Sequence, residues 1–210
     1  MPTVAPSQHL VWTIAEVGKN VGRAHNPTPS SICIRTHGTQ LIAGTDDFCF
    51  LERKLQGDGT LTAQIVSLDN TDMYAKAAVQ IRQSLEDNAP NAMMEWTPSG
   101  YAYFQYRTAA NNSANYDQWV YTKLPPWVRI TREGNEITGF ISEDGTSFKQ
   151  VGKVTLAMPE LVHIGLAVTS NSKQATTALI ENITLQGNSL DGGSPNQEAA
   201  LGSVRSLHNA

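Results

Sequence analysis

Charge is sparse in this chain: Asp, Glu, Lys and Arg together make up 16% of its 210 residues. The formal net charge is −4, and no basic cluster is longer than the pair Arg53 and Lys54. That excludes the electrostatic footprint of a nucleic-acid or anionic-membrane partner. No apolar window approaches the ~18 residues of a membrane-crossing helix. The N-terminus also lacks the charged and apolar regions of a signal peptide. Either the chain is intracellular or its export signal has been removed. Its wealth of Thr, Ser, Asn, Gln and Gly favours an extracellular or cell-surface location.

Cysteine is scarce as well. Cys33 and Cys49 are too few for a disulfide framework, and a chain of this length buries roughly 70% of its unfolded surface without one. Each lies between larger apolar residues, Ile32 and Ile34 or Phe48 and Phe50, so strand alternation turns both thiols to the opposite face. A cross-strand bridge or two free thiols would satisfy this pattern.

Catalytic signatures are missing too. There is no G-x-S-x-G, C-x-x-C or H-E-x-x-H. His9, His25, His37 and His208 fall in loops or tails, and His163 reads as a satisfied core residue. A retaining glycosidase needs two carboxylates about 5 to 5.5 Å apart. The closest spacings are Asp46 with Asp47, Glu86 with Asp87, Glu143 with Asp144, and Asp69 with Asp72; none places two carboxylates on one strand face. The chain therefore reads as a non-enzyme.

What the sequence has instead is strands. Leu61, Ala63, Ile65 and Ser67 alternate with Thr62, Gln64, Val66 and Leu68, and the same period of two recurs from Ala75 to Arg82. Gln56 to Leu85 thus reads as two antiparallel strands with a turn at Asp69-Asn70. Further strands are expected over 9–14, 32–36, 47–54, 91–96, 101–108, 117–123, 127–132, 136–142, 147–156, 161–169 and 175–186. Turn signals such as Gly57-Asp58-Gly59, Pro98-Ser99-Gly100 and Gly134-Asn135 separate them. No internal helix is expected. The result is an all-β fold, a two-sheet antiparallel jelly-roll β-sandwich over 9–186. An N-terminal arm over 1–8 and a linker and tail over 187–210 flank it. Gln197 to Leu207 has the spacing of a short amphipathic helix, docked on its own sandwich or on a neighbouring subunit.

Several segments carry a family likeness: Thr45 to Phe50, Gly57 to Thr60, Asn70 to Ala77, Ile81 to Leu85, Pro126 to Ile130, Ser142 to Gly145 and Gly165 to Ser170. Together they resemble the DUF1349 type of concanavalin A-like domain across roughly residues 10 to 186. The resemblance implies a jelly roll used as an accessory module in bacterial extracellular proteins and presumed to bind carbohydrate. Ala78 and Gln80 stand where that pattern has Gly and Met. In the matching segments, Arg82 and Arg129 read as structural anchors, Trp127 as a core or sheet-edge plug, and Ser142-x-Asp144-Gly145 as an Asp-box-like hairpin.

The aromatic residues are the best indication of a site. Tyr101 and Tyr103 share one face of a strand, and Phe104 and Tyr106 share the other. One face must pack the core, which leaves the other for solvent or ligand. Trp96, Tyr101, Tyr103, Tyr116, Asp117, Trp119 and Tyr121 are accordingly the candidate ligand-binding residues, with a glycan as the expected partner. Cross-strand support of the sheet would also account for these rings. No cofactor is expected. Asp69, Asn70 and Asp72 form an oxygen-rich turn of the kind that holds structural calcium, yet turn formation alone accounts for them. The alternative role is a structural subunit of a self-assembling extracellular fibre, filament or coat, a homo-oligomer whose terminal arms reach neighbouring copies.

Overall fold

The structure, a computed structural model, describes residues 10–19, 22–38, 44–122, 125–190 and 204–206. The expected N-terminal arm lies outside these residues. Among them are fourteen strands and no helix: β1 (Trp12–Val17), β2 (Gly22–His25), β3 (Ser31–Gly38), β4 (Phe48–Leu68), β5 (Lys76–Arg82), β6 (Asn91–Trp96), β7 (Tyr101–Arg107), β8 (Asn115–Tyr121), β9 (Trp127–Glu133), β10 (Glu136–Ser142), β11 (Lys149–Thr155), β12 (Leu161–Thr169), β13 (Ser172–Ser189) and β14 (Val204–Ser206). The expected strands are present. β2 is an addition, in a stretch whose Gly, Asn and Pro content reads as loop.

β4 makes the sandwich. Its first half pairs with β1 and β12 and its second half with β9 and β13, so one strand belongs to both layers. The first layer runs β1, β4, β12, β5, β6, β7, β8, and the second runs β11, β10, β9, β4, β13, β3, β2. Gly57-Asp58-Gly59, expected as a turn between two strands, is instead the corner at which β4 changes layers. Gly57 has φ 76°, a left-handed conformation that glycine adopts without steric cost. The period-two runs hold except beyond Ile65, where a register shift in the pairing with β13 puts Leu68 rather than Ser67 in the core, and the two strands of Gln56 to Leu85 are not hydrogen-bonded to each other. Residues 59–68 pair with β9 and β13, and β5 pairs with β12 and β6.

Strand alternation sorts the apolar side chains into two clusters. The main one lies between the layers and includes Ile34, Leu61, Ile65, Val79, Phe104, Val128, Ile130 and Ile164. The second lies on the far face of the first layer and contains Val17, Phe48, Phe50, Ala78, Met93 and Ala167, with Leu85 packed against it. Cys49 points into the main core and its neighbours Phe48 and Phe50 into the second cluster, as alternation requires. Both cysteines are free thiols.

Phe104 fixes the tilt of β7. Gly139 and Gly152 are partners across β10 and β11, and a Cβ on either would lie 2.4 to 2.6 Å from the Phe104 ring. The two glycines form a dimple in the second layer that receives the ring from the first. With Phe104 seated inward, Tyr101 and Tyr103 must face outward.

At the end of the chain, β13 continues past Gln186 to Ser189, pairing Asn188 with Gln56. Residues 204–206 form a strand rather than the end of a helix, and they pair in parallel with β1 of the same chain. Residues 197–203 of the expected helix lie outside the described residues.

Candidate functional site

The register across the first layer places Phe50, Ala167, Ala78, Glu95, Tyr103 and Trp119 in one row, each opposite the next, all on the face turned away from the main core. The row is buried and apolar at the Phe50 end, where Phe50, Ala167 and Ala78 belong to the second cluster, and exposed at the Trp119 end. What remains open is an aromatic platform on β7 and β8.

Five rings build that platform. Tyr101 lies 6.1 Å from Tyr103, 5.4 Å from Trp119 and 5.4 Å from Tyr121, measured between ring centroids, and Tyr103 lies 6.0 Å from Tyr116. Most of the contacts are edge-to-face, the arrangement aromatic quadrupoles prefer. Tyr116, Trp119 and Tyr121 are 52%, 58% and 62% exposed. Such a concentration of apolar surface at a sheet edge marks an interaction site.

Trp96 does not belong to it. It pairs with Ala102, which points into the core between Tyr101 and Tyr103, so its own side chain must point the same way. There it is buried, its Nε1 donating to Thr122 Oγ1 at 3.0 Å. Asp117 lies on β8 two residues before Trp119, and its side chain lies outside the described residues. Tyr106, on the same face of β7 as Phe104, packs against the core.

A buried ion pair supports the platform. Lys76 Nζ is 2.6 Å from Glu95 Oε1, both side chains are buried, and the ammonium stands 6.0 Å from the Tyr103 ring centroid. Glu95 Oε2 has no hydrogen-bond partner. Burial pushes the Glu95 carboxyl above its ordinary range against the opposing pull of Lys76. The Tyr103 phenol is also raised, by burial first and then by Glu95, Tyr74, Tyr101 and Tyr116. It therefore stays protonated and able to donate. The proximity of exposed Tyr74 to Tyr103 and the Lys76–Glu95 pair escape sequence reasoning, since each depends on which strands become neighbours.

Several other charged groups are tied down. Asp46 receives Arg107 at 2.6 and 2.9 Å and Arg82 at 3.3 Å, all three buried. Arg82 also donates to Ser84 O at 2.7 Å, as an anchor does. His163 Nδ1 is 2.8 Å from Glu52 Oε2, a partner not evident in the sequence. Arg129 donates to Thr62 Oγ1 and covers the Phe148 ring at 3.5 Å. In the oxygen-rich turn, Asp69 Oδ2 accepts from Thr177 N, and Asp72 Oδ1 accepts from Tyr74 N and Asn171 Nδ2. Among the described residues no three His, Cys, Asp or Glu side chains converge as a metal site would require.

The Asp-box-like hairpin between β10 and β11 is a folding device. Asp144 Oδ1 accepts from the Thr146 and Ser147 amides and the Ser142 hydroxyl, each at 2.8 Å, and these bonds hold its carboxyl well below the usual range. Gly145, with φ 74°, lies against Trp127 so closely that a Cβ would come within 2.6 Å of the indole. A groove of about 420 Å³ separates this hairpin from the end of β8.

No family model matches the chain, and no curated protein does. Solved structures share its fold. A protein of unknown function from Saccharomyces cerevisiae aligns with TM-score 0.62 at 13% identity, over 83% of this chain and 99% of that one. The carbohydrate-binding module CBM66 from Bacillus subtilis aligns with TM-score 0.57 at 14% identity, over 86% and 98%. The family 7 alginate lyase A1-II' aligns with TM-score 0.52 at 10% identity, over 89% and 100%. The chain is thus a β-sandwich of the concanavalin A-like, jelly-roll kind, an architecture shared by carbohydrate-binding and carbohydrate-cleaving proteins.

Proposed function

We propose that this protein is a non-catalytic carbohydrate-binding module of DUF1349 type, acting outside the cell or at its surface, that binds glycan on Tyr101, Tyr103, Tyr116, Trp119 and Tyr121. The observation that carries the reading is the exposed five-ring platform, since sugar rings stack their C–H faces on such surfaces. A carbohydrate-binding module and an alginate lyase share the fold, which supports carbohydrate as the ligand class; a shared fold alone does not transmit function. The non-catalytic part is supported by the state of the carboxylates around the sheet's outer face. Glu52, Asp46 and Glu95 are each held by a basic side chain, where a glycosidase keeps a pair free for substrate.

Tryptophan fluorescence tests this reading. Trp119 is exposed, so stacking of a sugar on its ring shifts its emission. Titration with a panel of soluble polysaccharides should give a saturable shift, and calorimetry on Trp119→Ala, which lacks the reporter ring, should show weakened binding. Absence of any binding at millimolar sugar would sink the proposal.

A further inference from the structure

Tyr121 belongs to two surfaces. Its ring packs edge-on against Tyr101 in the platform, and it also lines the groove between β8 and the β10–β11 hairpin. The platform and the groove are therefore one continuous track along the open edge of the sandwich. The ring-to-ring steps of 5.4 to 6.1 Å are comparable to the length of one hexopyranose unit, so the track spans several sugars.

Charge narrows the ligand class. The groove carries Ser142, Glu143, Asp144, Ser147 and Lys149, and the platform rests on Lys76 and Glu95. Carboxylates outnumber ammonium groups among these described residues, and Lys76 is already held by Glu95. A uronate on Tyr103 would meet Lys76 already paired with Glu95, a pair that offers it no unmatched positive charge. Like charges brought together in a partly desolvated site repel strongly. Exposed Glu143 and Lys149 can exchange hydrogen bonds with sugar hydroxyls at little desolvation cost.

We infer that the ligand is an uncharged polysaccharide bound as an extended chain, running from Tyr116 over Tyr103 and Tyr101, beside Trp119, to Tyr121 and on into the groove beside Glu143 and Lys149. This rests on the platform being a carbohydrate site.

The test compares cello-, xylo- and manno-oligosaccharides, from dimers to hexamers, with oligogalacturonates of the same lengths. Binding is measured by calorimetry to the full chain, to Trp119→Ala and to the double variant E143A/K149A, whose two positions are exposed. Affinity for at least one uncharged series should rise about tenfold or more from the shortest to the longest member. E143A/K149A should remove that gain and spare the short members, while Trp119→Ala should weaken all of them. Uncharged sugars that bind without a length effect, or a length effect untouched by E143A/K149A, would overturn the chain-in-groove inference and leave the platform reading standing. Oligogalacturonates that bind as tightly as the uncharged series would overturn the assignment of charge class. If no sugar of either kind bound the unaltered protein, the platform reading would fall with it.

Discussion

Tyr101 meets Trp119 edge-on, with ring centroids 5.4 Å apart and planes inclined at 75°, while Trp119 keeps 58% of its surface in solvent. The indole is held by a neighbouring strand yet contributes little buried area to the fold. Trp119→Ala is accordingly expected to change stability by less than about 1 kcal/mol while weakening glycan binding. Thermal unfolding and calorimetric titration of the same variant separate the two effects, and a large loss of stability would show the ring to be structural.

Asp46 is approached by both Arg82 and Arg107. Removing it would take the shared carboxylate from two buried guanidinium groups, a loss of about 3 to 5 kcal/mol. Asp46→Ala should therefore lower the urea midpoint sharply. Asp46→Asn, which keeps an acceptor, should recover part of the difference. Equal midpoints for Asp46→Ala and the unaltered protein would show the network to be energetically idle.

Burial pushes the Cys49 thiol up to about 12, with Glu16 adding to the effect, from an ordinary value of 9.0. In the unfolded chain the thiol ionises first, so the unfolded state binds fewer protons and stability must fall as pH rises from about 9 towards about 12. The slope contributed by this group reaches about 1.4 kcal/mol per pH unit. Cys49→Ala should flatten the decline in urea-melt stability between pH 8 and 10.5 relative to the unaltered protein. Identical slopes would contradict the buried-thiol assignment.

Gly152 leaves room for the Phe104 ring, and a Cβ there would lie 2.6 to 2.8 Å from its atoms. Gly152→Ala should cost about 1 to 3 kcal/mol through overpacking. Because Phe104 sets the outward pose of Tyr101 and Tyr103, the same variant should weaken glycan binding without touching the platform. Calorimetric unfolding together with titration reads both, and unchanged stability would show that the dimple is loose.

Period-two runs from Leu61 to Arg82 and turn residues such as Gly134-Asn135 were enough to read an all-β sandwich, because alternation is a property of each strand alone. The same rule sent Cys49 away from Phe48 and Phe50, and Tyr101 and Tyr103 away from Phe104. It could not tell that Trp96 joins the core, since that follows from its pairing with Ala102, a matter of register between strands. Nor could it show that Gly57 bends β4 between layers, that residues 59–68 and 76–82 part company, or that Asp46 gathers two arginines from distant strands. These arrangements depend on contacts between residues far apart in the chain, and local sequence carries no record of which partner wins. Strand identity and side-chain alternation were thus determined by the sequence itself, while the exposed aromatic edge was decided only by strand pairing, which gathers the second apolar cluster on one half of the outer face and sets the β7 and β8 rings side by side on the other.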